Sequence, residues 1–208
     1  MKAAWLTAVL ATCAFAGAPR IIYSKKFPGS NPAFVQVAVE RNGDAEYIED
    51  PKDEQPLKFK LTDAETAEIF GLASKLDNFK RPLESGLKVA NMGQKTFRFE
   101  DGAEKSQQSF NYSLDETAKL LQEWFERIVE TERHLIDLER VVRFDRIGVN
   151  QAILDLAVSY ERKRLVAPDQ FLPMLDRIAK NDTFLHIARE RAASLADAFR
   201  AANGPKVE

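Results

Sequence analysis

Few residues in this chain have the types and spacing that chemistry requires. The two histidines, His134 and His186, lie too far apart in sequence for the one-turn ligand spacing of a helical zinc site. His134 follows Glu130 by one helical turn, which predicts a solvated, ion-paired imidazole. Ser85 precedes Gly86 but lacks the rest of a nucleophile elbow. The stretch Asp44, Glu46, Glu49, Asp50, Asp53 and Glu54 supplies oxygens of the kind calcium takes, without the alternating Asp and central Gly of a calcium loop. Held off the sheet by Pro51 and Pro56, it reads as a solvated linker. No catalytic residue, metal ligand or cofactor motif emerges.

Two groups suit binding better than reaction. The segment from Lys80 to Gln94 is longer than most connections need and carries Arg81, Glu84 and Lys88 between two defined elements. Long ordered loops are where binding residues concentrate, so an envelope hydrolase would place its site here. The second group is a heptad series, Leu121, Ile128, Leu135 and Val142, with Trp124 and Leu138 at the intervening seam positions. If later helices leave that seam uncovered, Trp124, Ile128, Leu135 and Leu138 become a surface for a partner or a second copy.

The elements that position these residues change period once. From Ile21 to about Tyr112 the apolar period is mostly two, which predicts strands. Ile21 to Phe27 is a strand; Val35, Val37 and Val39 form another, ending at Asn42-Gly43. A two-residue hairpin there would set Val37 against Ile48 and Ala38 against Tyr47. Leu57, Phe59 and Leu61 mark a further strand. Thr62 and Glu65 form a capping box that opens a helix burying Ile69, Leu72, Ala73, Leu76 and Phe79, with Pro82 as its stop. Lys95 to Glu100 and Gln107 to Tyr112 read as a second hairpin turning at Asp101-Gly102.

From Ser113 onward the period is helical. Ser113 and Glu116 predict a second capping box, and no Pro or Gly interrupts until Gly148, which implies one helix of roughly thirty residues. Helices follow from Asn150, from Pro168 and after Asn181-Asp182, and Gly204-Pro205 closes the last. The predicted fold is α+β: an N-terminal antiparallel sheet of two hairpins with one packed helix, over 19–112, then a bundle of about four helices, over 113–203. Residues 204–208 read as a frayed tail.

Met1 and Lys2, the apolar run Ala3 to Leu10 and the small-residue pattern Ala14-Phe15-Ala16 predict a secretory signal over 1–16, cut after Ala16. Such a run is too short to span a bilayer. Leu10-Ala11-Thr12-Cys13 resembles the lipobox of bacterial lipoproteins, which would imply acylation and anchoring at Cys13; Thr12 departs from that pattern. Cys13 is the single cysteine, so cleavage after Ala16 leaves a chain without disulfides or thiol chemistry. The 30 basic and 32 acidic residues are evenly mixed and form no basic stripe, which argues against nucleic acid as a partner.

Residues 21–80, with Phe27-Pro28-Gly29, Pro32-Ala33-Phe34, Leu61-Thr62 and Leu76-Asp77-Asn78-Phe79, resemble a small sheet-plus-helix domain of uncharacterised exported bacterial proteins. The resemblance covers less than half of the chain and implies a fold and a location, with no activity. The expectation is a non-catalytic exported protein, periplasmic or extracellular, acting through a protein partner or self-association. The alternatives are an envelope hydrolase using the 80–95 loop and a calcium- or ligand-binding accessory domain.

Overall fold

Apolar residues at every second position build a sheet with one buried face, and the computed structural model shows how that face is covered. It describes residues 18–203. The leader over 1–16, Cys13 and the 204–208 tail lie outside the described residues. Six strands form one antiparallel sheet: β1 (Arg20–Lys26), β2 (Phe34–Glu40), β3 (Asp44–Ile48), β4 (Leu57–Lys60), β5 (Gln94–Asp101) and β6 (Glu104–Phe110), in the order β4-β3-β2-β1-β5-β6. Tyr23, Val37, Tyr47, Phe97 and Phe110 lie on the buried face. Phe97 stands at its centre, with ring centroids 5.6 Å from Tyr23, 5.2 Å from Phe79 and 5.3 Å from Phe110. The fold is α+β, as the change of period predicts.

Two turns differ from the sequence expectation by one residue. Val37 pairs with Tyr47 and Ala38 with Glu46, so Val37 does not oppose Ile48, nor Ala38 Tyr47. Arg41, Asn42 and Gly43 make a three-residue loop, in which Gly43 takes φ +88° and its amide donates to the Glu40 carbonyl. This register keeps Val37, Val39, Ala45 and Tyr47 on the core side. The second hairpin pairs Asp101 with Glu104, which puts Gly102 and Ala103 in the turn instead of Asp101 and Gly102.

Helix α1 (Asp63–Lys75) begins at the predicted Thr62–Glu65 capping box and buries Ile69, Leu72 and Ala73. It stops well before Pro82. Asp77, Asn78 and Phe79 take positive φ values of 53°, 46° and 66°, which break the helical ladder and turn Phe79 into the core. Left-handed backbone costs roughly 1–2 kcal/mol at each of the three residues, and burial of the Phe79 ring offsets about 1.5–3 kcal/mol of that.

Helix α2 (Glu116–Phe144) runs for 29 residues, about 44 Å. Its N-cap is Asp115, whose carboxylate accepts from Thr117 N at 2.8 Å and Ala118 N at 3.1 Å. Ser113 is not the cap, because its Oγ instead accepts from Asp115 N. Ala118, Leu121, Phe125 and Ile128 cover the sheet, while Leu135, Leu138, Val141 and Val142 join a second core. That core is closed by α3 (Val149–Glu161), α4 (Leu172–Ala179) and α5 (His186–Asn203). Among the described residues no helix is long and apolar enough to cross a membrane.

Candidate binding groove

The heptad seam is used inside the chain. Ile128 and Leu138 are buried, as is Leu135; Trp124 is partly buried and packs on the sheet core, with the Arg127 guanidinium 4.6 Å from its ring. A partner would find these residues already covered, so any docking surface on α2 lies on its other face. Arg127 also donates to the carbonyls of Arg164 and Leu165, and Glu123 pairs with Arg164. Glu123 and Arg127, one turn apart on α2, thus both reach across to the segment after α3.

The long loop is fixed by the residues singled out in it. Arg81 pairs with Asp115 at 2.6 Å, tying the loop to the start of α2. Glu84 accepts from Asn111 N at 2.6 Å and from Ser85 N at 2.9 Å, and these bonds hold its carboxyl below the usual range. Asn111 in turn holds Met92 N and the Ala90 carbonyl. Lys88 is exposed. The acidic stretch is likewise divided: Asp44 pairs with Lys60, Glu46 with Lys58, Glu49 accepts from Tyr47 Oη, and Asp50 and Asp53 cap their own turns. Among the described residues no three His, Cys, Asp or Glu side chains are grouped to hold a metal ion.

A broad concavity lies along the outer face of α2. It has a volume of about 580 Å³ and is walled by the Asn31-Pro32 turn, by Glu49 at the end of β3, and by α2 from Glu126 to Asp137. A smaller hollow of about 150 Å³, reaching Lys25 and Phe27, shares Asn31, Pro32, Glu126, Val129 and Arg133 with it. Ser30 Oγ lies 2.7 Å from both the Phe27 and Pro32 carbonyls, which holds the turn in place.

The carboxylates of this groove already have partners. Glu126 accepts from Tyr23 Oη at 2.9 Å and Lys25 Nζ at 3.0 Å, tying α2 to β1. Glu130 accepts from Arg164 Nε at 2.8 Å and Ser159 Oγ at 3.1 Å. Asp137 pairs with Arg140. Arg133 lines both hollows, is exposed, and makes no ion pair among the described residues. Val129 and the exposed Ile136 lie on either side of it along the helix.

His134 is half-buried instead of solvated, and its Nε2 lies 2.9 Å from Ser159 Oγ. Burial holds its pKa below the ordinary value, against the pull of Glu130. Histidine, serine and glutamate thus meet, but the serine stands between the other two. In a hydrolytic triad the imidazole is central, so that it takes the serine proton while the acid orients it. Here the hydroxyl donates to Glu130 and leaves His134 Nε2 to donate to Ser159, an order that fixes α3 to α2 and does not activate a nucleophile. No protein-family model matches this chain, and neither a curated protein nor a solved structure gives a match, so the likeness of residues 21–80 stands on its own motifs.

Proposed function

We propose that the chain is an exported, non-catalytic protein of the periplasm or envelope that acts by binding another protein. The groove along α2 receives an extended, acidic segment of that partner. One observation carries the reading: Arg133, without an ion pair among the described residues and flanked by Val129 and Ile136, sits where the two hollows join, while the carboxylates around it are already partnered. A guanidinium binds a carboxylate through two parallel hydrogen bonds, and the adjoining apolar side chains favour an extended segment whose alternate residues are apolar. Export is supported by the residue 1–16 pattern.

A photoreactive amino acid in place of Ile136 tests this in intact cells. Capture of one reproducible partner is expected, and Arg133→Glu, which sets like charge against an acidic segment, should abolish it. An adduct pattern that ignores Arg133→Glu, or no adduct at all, would overturn the proposal.

A further inference from the structure

The corner between α2 and α3 carries the two most exposed large apolar side chains of the described residues. Phe144 is 82% exposed and Ile147 is 77% exposed, within the run Arg143-Phe144-Asp145-Arg146-Ile147, all of it on the surface. Side chains this exposed stand proud of the protein, and burying neither contributes to the fold. The charges around them are lopsided. Asp145 Oδ1 accepts from Gly148 N at 3.0 Å, so the one acid of the corner is turned back to start α3. Arg143 and Arg146 make no ion pair among the described residues.

The same end of the molecule adds more apolar surface. α3 and α5 run parallel, since Arg191 donates to Asn150 near their starts while Tyr160 donates to the Ala198 carbonyl further along. The start of α5 therefore lies at the end where α2 and α3 meet, bringing Leu185 and Ile187, each 48% exposed. Of its acids, Asp182 pairs with Arg189, and Glu190 lies beside His186 at 3.1 Å.

We infer that this corner is a docking point for an anionic lipid surface, with Phe144 and Ile147 entering the headgroup boundary and Arg143 and Arg146 meeting the lipid phosphates. A protein partner would have to supply concavities matched to two protruding side chains, whereas a bilayer yields around them. Arginine suits the boundary because its stem lies in the apolar layer while its head stays among phosphates. Each basic residue near an anionic surface strengthens binding about fivefold, so the two arginines together supply a factor of about twenty-five, weakened by salt.

Vesicle flotation with the protein as its cell processes it is the test, using vesicles of about equal parts phosphatidylglycerol and phosphatidylcholine against phosphatidylcholine alone. Binding to the anionic vesicles is expected, with a loss of about tenfold or more in Phe144→Ser/Ile147→Ser, in Arg143→Gln/Arg146→Gln, and on neutral vesicles. All four positions are exposed, so an unchanged melting temperature shows that the variants fold. Any segment elsewhere that partitions into lipid would bind wild type and variants alike, and that equality would overturn the inference. So would an absence of binding, or a dimer that Phe144→Ser/Ile147→Ser dissolves without any effect of vesicles, which would give the corner to a second copy. Arg133→Glu, which tests the groove, should leave flotation unchanged.

Discussion

Glu132 lies on α2 with no exposed surface, facing the second core instead of the groove. One carboxyl oxygen accepts from Gln170 Nε2 at 3.0 Å; among the described residues the other has no hydrogen-bond partner, and neither does Gln170 Oε1. Burial pushes its pKa up to about 7, against 4.5 for an ordinary glutamate. Protonation makes Glu132 a donor, which is what the partnerless Gln170 oxygen lacks. The folded chain keeps this proton where the unfolded chain has released it, so stability falls as pH rises from about 4.5 to about 7 and levels above. The drop is on the order of 3 kcal/mol. His134 works with the opposite sign, since its lowered pKa makes stability fall as pH falls. Glu132→Gln isolates the glutamate: chemical denaturation across that window should show its stability flat relative to wild type, and a variant that keeps the wild-type slope would disprove the assignment. Little in the sequence marks Glu132 or His134 as buried, because their partners are remote: Gln170 is 38 positions from Glu132 and Ser159 is 25 from His134.

Elements were legible where periodicity carried them and less so where a cap or turn had to be placed to the residue. The period-two strands and the long helix follow from burying one face, a property of many residues at once. Turn offsets depend on a single glycine, and Asn42-Gly43 satisfies a two-residue or a three-residue loop equally well on paper. The start of α2 shows the same limit: both Ser113 and Asp115 are capping types, and the choice is made by Arg81, which pairs with Asp115 from another part of the chain. Asp115→Ala should therefore cost about 1–2 kcal/mol of folding stability. Glu116→Ala, the other half of the expected capping box, should cost less than about 0.5 kcal/mol, as an exposed residue paired with Lys119 does. Equal losses would return the cap to Ser113 and Glu116. At the other end of α2, a Cβ on Gly148 would lie 2.3 Å from Asp145 Oδ2. Gly148→Ala must then displace the Asp145 carboxylate and break its bond from Gly148 N, a loss of about 1 kcal/mol, and should not stabilise the wild type. In an Asp145→Ala background the clash is gone, and the same alanine should add about 0.4–1 kcal/mol by restricting the unfolded chain. Identical effects in both backgrounds would show that the two residues are not coupled.

The whole molecule is organised around α2, which belongs to both cores. Its first half supplies Leu121, Phe125 and Ile128 to the sheet, and the ring of Phe125 stacks on Tyr23 at 5.0 Å. Its second half closes the helical core, and the two are bound again where the chain returns after α3. There Val166 N donates to Thr131 Oγ1 at 3.0 Å and Ala167 N to Glu65 Oε1 at 3.1 Å, with Val166 and Ala167 buried in the sheet core. The change of period at Ser113 divides the sequence between strands and helices, yet the sheet takes its cover from beyond that point. Removing α2 would uncover three large side chains' worth of packing, at about 1.5–3 kcal/mol each. That sum, roughly 5–9 kcal/mol, rivals the entire stability of an ordinary domain. A chain ending at Tyr112 should accordingly show no cooperative melting and collapsed amide dispersion in NMR, although it holds all six strands and α1. Within the full chain, Phe125→Ala should cost about 3–5 kcal/mol and lower the helical and sheet signals in one transition, because both cores hang on the same helix. A truncated chain that melts cooperatively, or a Phe125→Ala variant that loses the sheet while its helical core persists, would show instead that the two halves fold independently.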